Sequence, residues 1–522
     1  METQRETRTK IELTLADVNL KTVLIYPPHA ILRHRFCLTI GLPYSTALLR
    51  GYLLRKGYSG VCLVDFWGRA SYLARHVNKS LTRVVPEKLY SFIMTGLLMG
   101  SKLINSLIEH IILAKKPEAD RRSLSLKDMI HVAERSPIAN ESPIFRRMEA
   151  LMRKEKPGLV GFSIQYHSQL LCALQLSKVV RHIRPEAFIV FGGPNISKNI
   201  SYLTQDGFVG RNVDGFVVND GEEPLAELVR CLNNSGDLQD VPNLYYRADG
   251  EYCRSKRTFT CRREHLETEP VYSSYPFSHM LLRISQGCYW KKCAFCTYRL
   301  IHRQYAVMRA DSAASMIQNL ARRYKVRRFF FVDDALPPFV AKSVSEAICE
   351  RKLKISWWCM SCLDKNFLKE DIPRHMAKAG CRKIRFGLES MSPRVLQLMG
   401  KMHRPENVLP ILKRFREAGI HVEVFVMFGF PTETREEAQE TLEFLKEHGK
   451  GMTIMIQPFT LEEDTIVYQN PSAFGIKKIY ADDKCAGHRV GFRYEVEQGM
   501  TPEEAKVFTE EARKALGKRF DK

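Results

Sequence analysis

Residues Leu281–Arg299 read LLRISQGCYWKKCAFCTYR. An apolar run, LLRIS, leads directly into Cys288, Cys293 and Cys296, spaced Cys-x4-Cys-x2-Cys. One short loop can wrap three thiolates around a single inorganic centre only when they lie this close. Iron–sulfur clusters take thiolate ligands, normally four. Three local thiolates leave one iron open, and catalysis needs an open position for a substrate or cofactor. Zinc is the rival and would want a fourth His or Cys nearby. His302 is the nearest candidate, and nothing in its surroundings marks it.

Downstream of the triad, strands alternate with helices. RRFFFVDD (from Arg327) ends on Asp333 and Asp334, and KISWWCMSC (from Lys354) follows. CRKIRFGLES (from Cys381) carries Gly387, Glu389 and Ser390 at its end. HVEVFVMFGFP (from His421) runs into Gly429, and GMTIMIQPF (from Gly451) is the last run. With LLRIS these make six strand–helix repeats, the pattern of a barrel whose chemistry sits at the C-terminal strand ends. Cys359 and Cys362 form a second C-x-x-C. Residues three apart on a strand point to opposite faces, so this pair reads as ordinary core thiols.

Upstream, KTVLIYPP (from Lys21), VCLVDF (from Val61), PGLVGFSI (from Pro157), AFIVFGGP (from Ala187) and VDGFVVND (from Val213) alternate with helical stretches. Apolar runs of this kind imply a mostly parallel sheet covered on both faces. Ligands of such sheets bind beyond the carboxyl ends of the strands. Those ends carry Ser163 and Tyr166, then Gly192 and Gly193, then Gly221 and Glu222. Taken singly, each is better explained as a turn or helix-capping residue; together they favour a cofactor face. No G-x-G-x-x-G is present, so a nicotinamide site is not indicated.

The organisation expected is an N-terminal tail over 1–20, a sheet domain over 21–232 with a helical insertion at about 70–156, a linker over 233–280, a barrel over 281–461 and a helical extension over 462–522. The linker holds a hairpin around Asp249–Gly250, a favoured tight-turn pair. In the extension, His488 and Tyr494 read first as surface residues and second as lining of a substrate pocket.

The formal charge is +22. It reads first as a solvated basic surface and second as a face for an acidic or phosphorylated partner. No arginine-rich tract supports nucleic acid, and none is expected as a partner. The charged start has no apolar leader core, so a cytoplasmic chain with free thiols is expected. The most apolar stretch, Leu89–Ala114, contains Lys102, Glu109 and His110, which argues against a membrane span.

The cysteine motif, with the aromatic Phe295 before its last cysteine, resembles that of the radical S-adenosylmethionine superfamily. G-L-E-S and G-F-P-T-E-T resemble that family's fourth- and fifth-strand elements. There are two departures. The first cysteine gap has four residues where three is commonest, and Thr432 stands where glycine is usual. With the sheet domain ahead of the barrel, the chain resembles the cobalamin-dependent branch, of the class B methyltransferase type.

The resemblance implies an α/β chain: a Rossmann-like cobalamin-binding sheet, a partial (β/α)6 TIM barrel and a short helical extension. It implies a 4Fe–4S cluster on Cys288, Cys293 and Cys296, with S-adenosylmethionine near Phe295, Asp333, Asp334, Gly387, Glu389, Ser390 and Gly429. It places cobalamin along Ser163, Tyr166, Gly192, Gly193, Gly221 and Glu222. It further implies an external electron donor such as flavodoxin or ferredoxin, a small-molecule or peptide substrate, and methyl transfer to carbon. Cyclisation or rearrangement without methyl transfer is the alternative within enzymes, and a non-catalytic corrinoid-binding protein the alternative outside them. A tRNA methylthiotransferase would need three further cluster cysteines upstream and a C-terminal RNA-binding barrel, whereas Cys37, Cys62 and Cys172 are isolated and a helical tail is expected.

Overall fold

The computed structural model describes residues 20–27, 43–65, 126–136, 143–273, 279–297, 304–486 and 490–517. The apolar stretch Leu89–Ala114, most of the insertion, and His302 and His488 lie outside the described residues.

β1 (Thr22–Tyr26) and β3 (Leu159–Ser163) are buried along their whole length, as central strands of a sheet covered on both faces must be. With β2 (Val61–Asp65), β4 (Phe188–Gly192) and β5 (Gly215–Val217) they form a parallel sheet. β6 (Leu244–Ala248) and β7 (Glu251–Arg254) continue it antiparallel, in the order β2-β1-β3-β4-β5-β6-β7. The Asp249–Gly250 hairpin is present, with φ of 51° and 89°, but it extends this sheet instead of standing in a separate linker. From the insertion, the helices Leu126–Arg135 and Pro143–Glu155 set Met129, Met148 and Met152 into the core beside the helix His167–Ile183.

The second half begins with β8 (Met280–Leu282), followed by a two-stranded pair, β9 (Ser285–Gln286) and β10 (Ala306–Val307). β8 then joins β11 (Arg328–Phe331), β12 (Ser356–Ser361), β13 (Cys381–Glu389), β14 (His421–Phe428) and β15 (Thr453–Pro458) in a six-stranded parallel sheet. β8 and β15 are its edges, so the barrel is open. Strand alternation separates its faces. Phe386 packs outward on Phe415 of the helix Pro405–Glu417, with ring centroids 5.2 Å apart. The neighbouring Lys383 and Arg385 therefore face inward, over the Trp358 ring at 4.2 and 4.7 Å, and both pair with the buried Glu423.

The C-terminal extension is not simply helical. β16 (Leu461–Glu462), β17 (Ile476–Ala486) and β18 (Val490–Val496) form an antiparallel sheet. The charged run KKIYADDK hides this strand from a periodicity reading. Tyr494 is buried, not at the surface. The final helix, Pro502–Leu516, is capped by Thr501 and Glu504 and sets Phe508 4.9 Å from Phe428. No helix among the described residues is long and apolar enough to cross a membrane.

After β14 the chain turns through Gly429 (φ 76°) and Thr432 (φ 71°). A β-branched residue with positive φ is strained, and Arg394 holds it by bonds of 3.0 and 2.7 Å to the Thr432 hydroxyl and carbonyl. Glu433 is fully buried and accepts from the Gly429 N–H at 2.5 Å. Burial, aided by Glu437, pushes its carboxyl up to about 8. The native chain thus keeps a proton that the unfolded chain releases near 4.5. Stability from this group is full below that value and is lost as pH rises towards 8. Glu433→Gln is expected to match the wild type near pH 4 and to exceed it by on the order of a few kcal/mol at pH 8, read from paired unfolding curves.

Candidate functional site

The loop from Gly287 to Cys296 is held from several sides. Gly287 and Lys291 take positive φ, 80° and 58°. The longer first gap, Tyr289–Lys292, is pinned by both of its aromatics. Tyr289 Oη donates to Asp364 Oδ2 at 3.2 Å, and Trp290 Nε1 donates to the Gly400 carbonyl at 2.6 Å. Ala294 N–H reaches the Met399 carbonyl at 2.8 Å. Gly400 (φ 67°) admits this approach, because a Cβ there would lie 2.4 Å from the Lys292 carbonyl oxygen. The extra residue thus sits in a braced loop.

The three thiols have different surroundings. A hydrogen bond from the Cys362 thiol, helped by the Lys291 and Trp290 backbone, brings Cys288 down to about 6 against the effect of burial. That bond, with burial, holds the Cys362 proton well above the usual thiol range. Burial raises Cys293, opposed by Lys401. Among the described residues no three His, Cys, Asp or Glu side chains are grouped as on one ion. A four-iron cluster binds each thiolate to a different iron and needs no such grouping.

Lys401 was not singled out by sequence reasoning. It is buried, 3.3 Å from Glu389 Oε1, with the Phe295 ring 5.9 Å from its Nζ. Burial works against its charge, but Glu389, Cys293 and Cys362 outweigh burial and keep it protonated. A shift in the β13–β14 register between Gly387 and Glu389, with Glu389 at φ 65°, turns this carboxylate towards the lysine. Gly387 leaves the room: a Cβ there would lie 2.5 Å from Glu389 Oε1 and 3.0 Å from Lys401 Nζ.

Asp333 is fully buried below the same loop. Its Oδ1 accepts from the Ser285 N–H and from Ser285 Oγ, while Oδ2 has no partner. Burial pushes its carboxyl up to about 7. Asp334 acts electrostatically on Cys288. Two predicted residues have other work here. Ser390 is buried and bonds Thr441 Oγ1 and the Ser392 N–H, at 3.3 and 3.2 Å. Gly429 meets the C-terminal helix, where a Cβ would lie 2.1 Å from that of Ala505.

At the other edge, Ser163 Oγ lies 2.8 Å from Ser45 Oγ, and Tyr166 is exposed. Gly193 (φ 106°) brings its backbone against the end of β3, where a Cβ would lie 2.5 Å from the Ile164 carbonyl oxygen. Asn195 Oδ1 is buried without a partner beside it. Gly221 starts the helix Glu222–Asn233. Glu222 pairs instead with Arg283 at 2.9 Å, and Asp220 accepts from Gln286. Lys198, on the helix after β4, pairs with Glu462 after β15 at 2.9 Å. All these partners follow C-terminal strand ends. The C-terminal strand-end edges of the two parallel sheets therefore face each other.

Residues 282–445 match the Radical SAM superfamily, so the chain carries a radical SAM domain. The chain is similar to PH0819 of Pyrococcus horikoshii, described as an uncharacterized methyltransferase, with 27% identity over 320 residues, 59% of this chain and 68% of that one. Its fold is that of OxsB, a cobalamin-dependent S-adenosylmethionine radical enzyme seen with aqua-cobalamin (TM-score 0.61, 14% identity, 94% of this chain and 66% of OxsB). It is also that of TsrM from Kitasatospora setae, a radical S-adenosylmethionine methyltransferase seen with cobalamin and a 4Fe–4S cluster (TM-score 0.60, 15% identity, 96% of this chain and 89% of TsrM).

Proposed function

We propose that this chain is a cobalamin-binding radical S-adenosylmethionine enzyme that methylates an unactivated carbon. The facing of the two strand-end edges carries this reading, because it sets a flat cofactor on one sheet directly over a cluster held by the other. The residues fit these groups. Cys288, Cys293 and Cys296 would hold the cluster, with Phe295 beside it. Glu389, Gly387, Asp333 and Asp334 would meet S-adenosylmethionine. Ser163, Tyr166, Gly192 and Gly193 would seat cobalamin, while Gly221, Glu222, Ser390 and Gly429 would support the two edges from behind.

When bound, these groups supply reductive cleavage of S-adenosylmethionine, hydrogen abstraction and methyl donation. The chain's own part is placement. Cys288, Cys293 and Cys296 would supply three thiolates and so leave a position for S-adenosylmethionine. Lys401 brings a fixed cation to an anionic centre, and its partner Glu389 offers an acceptor for an ammonium or ribose hydroxyl. Asp333, its carboxyl pushed up to about 7 by burial, offers Oδ2 as a polar group with no partner in the fold. The Arg283–Glu222 and Lys198–Glu462 pairs tie the two edges together. The electron would come from a flavodoxin- or ferredoxin-type donor, and the substrate would be a small molecule or peptide.

Anaerobic reconstitution with cobalamin and S-adenosylmethionine tests the reading. Both 5′-deoxyadenosine and S-adenosylhomocysteine are expected alongside a methylated product. Deoxyadenosine and product without methyl transfer would establish rearrangement instead. A chain that takes up no iron would sink the enzyme reading altogether.

A further inference from the structure

We propose that the barrel interior holds the substrate by an anionic end: a molecule with an apolar body and one carboxylate or phosphate, seated on Lys383 and Arg385. This rests on the reading that the barrel is the substrate site of a radical S-adenosylmethionine enzyme, and it names the substrate class. The two faces of the barrel strands are filled to different degrees. Outward, Phe331 stacks on Trp357 with ring centroids 4.7 Å apart, and both are shut off from water. Inward, Phe330 stacks on Trp358 at 3.8 Å, yet both remain partly open to water. So do the Lys383 and Arg385 side chains, 28% and 22% exposed, although Ile384 between them is fully buried. Phe425 and Met455, which pair in register one layer nearer the mouth, are partly open in the same way. Protein interiors leave few voids that water can enter, so an inward face open along three layers is room for a ligand.

The charge in that space does not balance. Lys383 and Arg385 both pair with Glu423, Lys383 at 2.9 Å. Their neighbours in register are Trp358 and Met360 on β12, and His421 and Glu423 on β14. Glu423 is the one carboxylate among these, so one positive charge is left over. The Trp358 ring lies 4.2 Å from Lys383 Nζ and 4.7 Å from Arg385 Cζ. The ring face steadies the cations without neutralising them. A surplus cation among apolar side chains is best met by an anion, and ammonium and guanidinium groups both donate to carboxylate or phosphate oxygens. Arg385 lies two residues before Gly387, about 7 Å along the strand. An anion held there leaves the apolar remainder to reach the mouth, where Glu389 and Lys401 stand.

Isothermal titration of the reconstituted full chain with octanoate, octanamide and octyl phosphate tests this. The better of the two anions should bind about tenfold more tightly than the neutral amide, the scale of a hydrogen bond to a charged group. Which anion that is identifies the head group as carboxylate or phosphate. Lys383→Met keeps the Arg385–Glu423 pair without the surplus charge and should erase the preference. Glu423→Gln frees a second cation and should enlarge it, a result that a purely structural ion pair does not give. Unfolding curves check that both variants fold, and Lys383→Met alone decides if Glu423→Gln does not. Equal affinity for anions and amide, no binding of any probe, or an anion preference that survives Lys383→Met overturns the proposal. Iron content is measured on the same samples. A wild-type chain without iron removes the functional reading, whereas one with about four irons and no anion preference removes this proposal alone.

Discussion

Replacement of Cys288, Cys293 or Cys296 by alanine, one at a time, is expected to strip the reconstituted protein of most of its iron and its visible cluster absorbance. Production of 5′-deoxyadenosine should fall to background. The loss should exceed about a hundredfold, the upper range seen when only the outer partners of metal ligands are removed. The reason lies in ligand number. A cluster normally takes four ligands, and this loop offers three with one position reserved. Removing one leaves two thiolates, too few to retain an iron centre while a further site stays open. The apo fold should be little affected, since the three thiols are only partly buried and the loop is tied down by Trp290, Tyr289 and Ala294. Cys359→Ala is the matched control. It lies on the outward face of β12 and should keep full iron, even if it lowers stability. Iron retained in all three triad variants would refute the assignment.

Much of the arrangement was legible in the sequence, for identifiable reasons. Apolar runs alternating with helices give strand identity and parallel order directly, and the triad's close spacing points to one shared inorganic centre. The parts that escaped depend on long-range approach. Lys401 lies twelve residues after Glu389 in the sequence, and no local pattern says that a β-bulge turns Glu389 back towards it. The pleat separates Cys359 from Cys362 correctly, but periodicity cannot say which of them faces the mouth. Ser390 and Gly429 sit in motifs, yet their side-chain space is taken by Thr441 and Ala505. Glu222 looked like part of a cofactor edge because its partner, Arg283, is sixty-one residues away.

Lys401→Met should destabilise the apo protein by about 3–5 kcal/mol, the cost of leaving one half of a buried ion pair uncompensated. The Lys401 and Glu389 side chains are 7% and 12% exposed, so water can do little to screen the orphaned carboxylate. Glu389 cannot easily turn away, because its backbone is fixed at φ 65° within the β13–β14 ladder. Chemical denaturation of the barrel transition reads the effect as a lower midpoint at unchanged slope. The double variant Lys401→Met/Glu389→Gln removes the stranded charge and should recover most of the loss. Stability and cluster chemistry then separate. If the lysine serves only its ion pair, the double variant will reconstitute like the wild type. If its charge also steadies the anionic centre beside Cys293 and Cys362, the double variant will be stable but harder to reduce. The electrostatic arrangement favours the second outcome. Besides Glu389, its partner in the ion pair, the Cys293 thiol of the triad also acts on Lys401.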